Sequence, residues 1–200
     1  MLAKAHRRAA ERRQPTEEKR CVLRNLSSCT GCSISSPGTR DMPIVDDIVG
    51  LRRILTRSRT IAVVGLSANW YRPSYFAAKY MRDHDYRVIP VNPTYDEVMG
   101  ERCYPDLPSA NEGAAVPIDI VDCFRQPSEI PPIARDAIAI GAKVLWMQLG
   151  IRNDEAAQLA SDAGLDVVMN RCVKIEHARL MGGLNWAGVN TGVISARRPV

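Results

Sequence analysis

The chain has 200 residues, of which 46% are hydrophobic and 24% charged, the balance of a folded domain with an appendage rather than of a disordered chain. Aromatics make up only 6% while short aliphatic runs are frequent, which favours buried parallel strands over an all-β sandwich, and no uncharged apolar stretch approaches the ~18–20 residues that a bilayer span requires. The net charge of +5 divides unevenly: residues 1–40 hold nine Lys/Arg against three Asp/Glu, and residues 41–200 hold eighteen against nineteen. The basicity therefore belongs to an N-terminal extension, and the near-neutral remainder is not built to attract nucleic acid.

The first forty residues differ in kind from the rest of the chain. Residues 1–24 are Arg-rich, and residues 27–40 are rich in Ser, Gly and Pro with a Pro37-Gly38 turn signal. A targeting peptide is at odds with Glu11, Glu17 and Glu18, and a nucleic-acid arm would interleave aromatics that are absent. Residues 1–41 are expected to be a basic disordered extension or an over-extended reading frame, with the folded domain occupying residues 42–200 and beginning at Met42. Six cysteines (Cys21, Cys29, Cys32, Cys103, Cys123 and Cys172) without a secretory pattern ahead of them read as thiols of a reduced, cytoplasmic protein.

In the core, Ile44, Val45, Ile48, Leu51, Ile54 and Leu55 fall at helical spacing. The continuous apolar run over residues 60–65 predicts a strand buried on both faces, ending in Gly65. Pro73 and Ser74 open a helix to about His84, and residues 86–91 form a second strand stopped by Asn92-Pro93. Residues 94–111 read as an irregular excursion punctuated by Gly100, Pro105 and Pro108. A third strand over 118–123 precedes a helix from about Pro127 to Gly141, and a fourth covers 143–148. Asn153 caps a helix with Asp154 and Glu155 in its first turn, ending at Gly164. A fifth strand over 165–169, a last helix over 173–181 and an unassigned tail over 182–200 complete the chain.

This alternation predicts an α/β fold: a Rossmann-like doubly wound parallel sheet of five strands with helices on both faces. Such folds bind ligands beyond the C-terminal strand ends, where strand order reverses. The loop from Gly65 to Ser74 suits a phosphate or pyrophosphate, because Gly65 permits close approach, the helix start offers N–H groups, and Arg72 and Ser74 add charge and a hydroxyl. A tight turn with a solvated Arg72 is the competing reading of the same residues. A dinucleotide fingerprint is absent, since Ser67 and Trp70 replace its second and third glycines and no carboxylate ends the second strand.

Several segments carry a resemblance. Residues 61–65, Arg72-Pro73-Ser74, residues 88–93, Val121-Asp122-Cys123-Phe124-Arg125, residues 141–150 and Asn170-Arg171-Cys172 are similar, in order, to the stand-alone CoA-binding domain proteins. These are related to the CoA-binding domain of the succinyl-CoA synthetase α subunit. The resemblance spans residues 44–195 and leaves residues 1–40 outside; Trp70-Tyr71 makes the first loop bulkier than a Gly-rich version. It implies coenzyme A lying over the strand ends, with Gly65, Ser67, Arg72, Pro73 and Ser74 around phosphates. It further implies Asn92 and Pro93 at the nucleotide end, and Phe124, Arg125, Gln148 and Gly150 completing the groove. Arg72 and Arg125 independently fit a ligand with several phosphates, for which guanidinium is suited by its planar fork.

Catalytic constellations do not stand out. Cys29-Thr30-Gly31-Cys32 lacks a second pair at zinc spacing, and Glu176 and His177 are adjacent on a helix and point apart. Cys172, after the fifth strand, is either a small buried residue or a thiol able to exchange with the CoA thiol. The expected function is a non-catalytic binding or regulatory module for coenzyme A or an acyl-CoA, a small-molecule partner, with no membrane or nucleic-acid partner. The alternative is a CoA-handling subunit of an acyl-CoA synthetase-like enzyme, completed by a separate ATP-grasp chain or assembled as a homo-oligomer.

Overall fold

The computed structural model describes residues 44–182; the basic extension, Cys29 and Cys32, the start at Met42 and the tail from residue 183 lie outside the described residues. The domain is a five-stranded, wholly parallel sheet in the order β2-β1-β5-β6-β7, formed by β1 (Thr60–Val64), β2 (Arg87–Val91), β5 (Ile120–Cys123), β6 (Val144–Met147) and β7 (Asp166–Val168). A short antiparallel pair, β3 (Glu97–Val98) and β4 (Glu101–Arg102), stands apart from it. Every residue of β1, β5 and β6 is buried, as expected of strands covered on both faces.

Two helical layers supply the cover. The helices α1 (Ile48–Arg57), α2 (Pro73–Arg82) and α6 (Val173–Met181) pack Leu51, Leu55, Ala78, Met81 and Leu180 against Ile61, Val63, Ile120 and Trp146 on one face. The helices α3 (Leu107–Gly113), α4 (Ile130–Ala139) and α5 (Asp154–Asp162) pack Leu107, Ala134, Ala137, Ala156 and Ala160 against Ala62, Val121 and Leu145 on the other. Small alanines on α4 and α5 let these helices lie close to the sheet, while each fully buried Leu, Ile or Val contributes ~1.5–3 kcal/mol.

Two expectations are corrected. The first helix does not begin at Ile44: Asp47 caps it by accepting from the Gly50 N–H at 2.8 Å, and Val45 instead donates its N–H to Val167 O at 2.8 Å beside the sheet. A side-chain cap satisfies orphan amides that residues 44–46 could not, so the apolar spacing overran the helix. Residues 94–111 are likewise more ordered than their prolines suggested. Met99 and Gly100 both adopt positive φ in the β3–β4 turn, and Asp106 caps α3 by accepting from Ser109 N at 2.8 Å, with Pro108 tolerated in the first turn.

Asp119 pins the opposite end of the sheet. Its Oδ2 accepts from the N–H groups of Arg59 and Thr60, and its Oδ1 pairs with Lys143 at 2.6 Å. No helix among the described residues is long and apolar enough to cross a membrane, and none of them form a group of three or more residues able to hold a metal ion.

Candidate functional site

Strand order reverses between β1 and β5, because β1 is followed by β2 on one side while β5, β6 and β7 extend on the other. A crevice beyond the C-terminal ends of these strands is the expected ligand position in such sheets. Gly65 stands there with φ +89°, its N–H bonded to Val91 O at 2.8 Å. A Cβ on Gly65 would lie 2.6 Å from Phe124 O and 3.2 Å from Arg125 Nε, so glycine is required first by the neighbouring loop.

The loop after β1 is held by its own hydrogen bonds. Ser67 N donates to Ser74 Oγ at 3.2 Å, Asn69 N to Ser67 Oγ at 3.1 Å, Tyr71 N to Asn69 Oδ1 at 3.0 Å and Arg72 N to Asn69 O at 3.0 Å. Ser67 and buried Ser74 therefore shape the loop, and four of its amides are committed within it. Arg72 occupies the N-cap position of α2 with extended backbone, and Pro73 follows at the first helical position. The exposed Arg72 guanidinium has no hydrogen bond or ion pair among the described residues. Beside it, Trp70 and Tyr71 are 56% and 69% exposed with ring centroids 3.9 Å apart.

Asn92 is buried; its Nδ2 donates to Leu66 O at 2.8 Å and its Oδ1 accepts from Thr94 N at 3.1 Å. It fastens the β1 and β2 loops to one another, leaving Pro93 to face outward.

Two adjoining cavities occupy the crevice. The larger, about 590 Å³, is lined by Pro73, Phe124, Arg125, Gln148, Gly150 and Cys172, among others. The second, about 460 Å³, is lined by residues that include Val64, Val91, Pro93, Asp106 and Asp136. Arg125 and Glu129 line both, so the Arg125 guanidinium stands where the two meet. Six of the eleven predicted site residues thus line a cavity: Pro73, Pro93, Phe124, Arg125, Gln148 and Gly150. Gly65, Ser67, Ser74 and Asn92 build the loops around them, and Arg72 projects beside Pro73 without lining either cavity.

The charge of the walls differs. The second cavity gathers Asp106, Glu129 and Asp136 against Arg125, and burial together with the Asp106 charge holds the Asp136 carboxyl above the usual carboxylate range. That wall repels phosphate and suits hydroxyl donors. A carboxylate missing from the end of β2 is therefore offered nearby from the start of α3. In the larger cavity, Gly150 adopts φ +85° and donates its N–H to Asn170 Oδ1 at 2.7 Å. Asn170-Arg171 is structural: Arg171 O accepts from Trp146 Nε1 at 2.7 Å, and its guanidinium pairs with buried Glu176 at 3.1 Å.

Behind the larger cavity, Gln148 Nε2 donates to Asp122 Oδ1 at 2.7 Å. Asp122 is wholly buried, and burial pushes its carboxyl up to about 7 despite the Gln148 hydrogen bond. The Cys172 thiol is pushed up by burial, an effect the Asp122 charge reinforces and the amides of Ile175 and Lys174 oppose. Cys172 lies in the cavity wall, where burial disfavours the thiolate that exchange requires.

Similarity to known proteins covers this crevice. Residues 59–178 match the family described as CoA binding domain, a span running from the start of β1 into α6. The chain belongs to the CoA-binding domain family. Among its relatives is the uncharacterized protein YneT of Bacillus subtilis (strain 168), 41% identical over 128 residues, covering 64% of this chain and 92% of that protein. A solved hypothetical protein from Pyrococcus horikoshii OT3 is 40% identical with a TM-score of 0.65, covering 70% of this chain and 97% of its own. The dinucleotide-forming acetyl-coenzyme A synthetase 1 of Ca. Korarchaeum cryptofilum, in complex with phosphate and ADP, shares the fold at 21% identity and a TM-score of 0.52; the match covers 63% of this chain and 28% of that one. The family span takes in both cavities and both arginines, and leaves residues 1–58 outside.

Sequence reasoning overlooked Asp122, Glu129 and Asp106. Asp122 sits within the Val121–Arg125 motif, and an acid inside an otherwise apolar strand was the available signal. Glu129 and Asp106 carried none beyond capping patterns, since they reach the crevice only through the packing of α3 and α4.

Proposed function

We propose that the protein binds coenzyme A or an acyl-CoA along the two joined cavities at the C-terminal ends of β1, β2, β5 and β6, as a binding or regulatory module without chemistry of its own. The observation carrying this reading is the placement of Arg125 at the junction of a 590 Å³ and a 460 Å³ cavity, beside Gly65, in a chain of the CoA-binding domain family. One long ligand with a charged middle fits such a groove better than two separate small ones.

Electrostatics order the ligand. Phosphates belong near Arg125, Arg72 and the start of α2, where a full charge and the helix dipole act together. The adenine lies toward Pro93 and the acidic second cavity, whose carboxylates accept from its amine, and the ribose 3′-phosphate stays on the side of the arginines. The pantetheine arm then runs into the larger cavity, past Pro73, Leu149 and Ile151, toward Gln148 and Cys172. A second reading, a CoA-handling subunit completed by an ATP-grasp chain, is favoured by the exposed Trp70, Tyr71 and Phe76 around the first loop and α2, a surface that a partner would cover.

Thermal unfolding with added ligand tests the proposal. Coenzyme A at about a hundred times its Kd stabilises the native state by about 2.7 kcal/mol, and NAD at equal concentration does much less. A larger shift with NAD than with coenzyme A overturns the reading. Co-purification of an ATP-grasp protein with the native chain would favour the subunit reading.

A further inference from the structure

Gln148 and Asp122 meet at the inner wall of the larger cavity, 3% and 1% exposed. Gln148 Nε2 donates to Asp122 Oδ1 at 2.7 Å. With its NH2 placed against Asp122 Oδ1, which can accept whether or not the carboxyl carries a proton, the amide turns its Oε1 away. Gln148 Oε1 has no hydrogen-bond partner among the described residues, yet none of their side-chain oxygens and nitrogens is both sealed from solvent and unpartnered. Oε1 therefore opens on the cavity that Gln148 lines.

The surroundings give that oxygen its meaning. Pro73, Leu149, Ile151 and Ile175 make much of the cavity wall apolar, and Arg125 can only donate. The Gly150 N–H is already taken by Asn170, and a Glu129 oxygen accepts from Gln126 N at 3.1 Å. Gln148 Oε1 is thus a neutral acceptor at the inner wall of the recess, beside the apolar side chains of Leu149, Ile151 and Ile175.

We infer that Asp122 is a positioning residue that turns the Gln148 amide so that its Oε1 accepts a hydrogen bond from an N–H of the ligand's amide-bearing, pantetheine-type arm. This rests on the coenzyme A reading of the groove and adds which part of that ligand the larger cavity selects. An alkyl chain without a donor leaves Oε1 desolvated and unpaired, and a bare nucleotide has no group that reaches it. Discrimination of this kind, a buried polar group left unpaired by the wrong ligand, is stronger than rejection by shape.

Calorimetric titration of coenzyme A, dephospho-coenzyme A and 3′,5′-ADP into the wild type, Gln148→Met and Asp122→Asn tests it, since 3′,5′-ADP lacks the arm. Loss of one neutral hydrogen bond weakens both arm-bearing ligands about tenfold in Gln148→Met and leaves 3′,5′-ADP within about twofold. Asp122→Asn, whose amide can accept or donate, no longer holds Gln148 one way round and gives a smaller loss, about threefold, with the same selectivity. An equal loss for all three ligands in these variants would mean a merely structural role and overturns the inference, as does unchanged coenzyme A affinity in Gln148→Met. A wild type that fails to bind coenzyme A removes the underlying reading as well, whereas a wild type that binds it beside unaffected variants removes this inference alone.

Discussion

Asp122→Asn should change how stability depends on pH. The carboxyl is wholly buried on β5, and burial raises it from 3.8 to about 7, while the Gln148 amide hydrogen bond at 2.7 Å only partly opposes this. Below 3.8 both folded and unfolded chains carry the proton and Asp122 is neutral to stability. As pH rises from there to about 7 the unfolded chain loses the proton first, so stability falls, and above about 7 the whole penalty is present. At about 1.36 kcal/mol per pH unit of displacement the full penalty is about 4 kcal/mol, and the part acquired between about pH 5 and pH 8 is about 3 kcal/mol. Asn keeps the shape and an acceptor for Gln148 and cannot ionise. Urea unfolding followed by circular dichroism at several values across that range should show the wild type losing about 3 kcal/mol relative to the variant, or roughly 6–12 °C in Tm. Comparing slopes rather than absolute stabilities removes any constant cost of the new amide. Parallel pH profiles for the two proteins would refute the argument that Asp122 is ionised only at a large cost.

Two further outcomes bear on the crevice. Arg125→Ala and Arg72→Ala should each weaken coenzyme A roughly 10- to 150-fold by calorimetry, as loss of a charged hydrogen bond of ~1.5–3 kcal/mol requires, with Lys at either position restoring only part. Affinity unchanged by Arg72→Ala would make that exposed side chain a solvated surface charge. Gly65→Ala should destabilise the fold by more than about 1 kcal/mol in denaturant unfolding, because it combines a positive φ with a Cβ 2.6 Å from Phe124 O. A neutral result would show that the Phe124 loop yields at no cost.

The alternation of strands and helices was legible because its causes are local. The run Thr60–Val64 is buried end to end, and an uninterrupted apolar run bounded by Gly65 already says so. Asn153 takes the Ala156 N–H at 2.8 Å, a cap written in one residue and its neighbours. Where a competing local signal was overlooked, as with the Asp47 and Asp106 caps, apolar spacing or proline content pointed the wrong way. The parallel sheet, the loops that surround its crevice and the chemistry of two arginines were therefore determined by the sequence.

Which residues meet was decided only by tertiary structure. Gly65 needs to be glycine because Phe124, some sixty residues later, brings its carbonyl against it. Asn92 reads in the sequence only as a residue facing the ligand, and its amide also donates to Leu66 O, tying the loops after two neighbouring strands together. Asp122 and Gln148 lie at the ends of different strands, and their registry through β5 and β6 turns an ordinary carboxylate into one that titrates near 7. Side-chain preference and capping act over a few residues and can be read from the chain. Desolvation and hydrogen-bond partnership depend on which distant atoms exclude water, and those are chosen by the order of strands in the sheet.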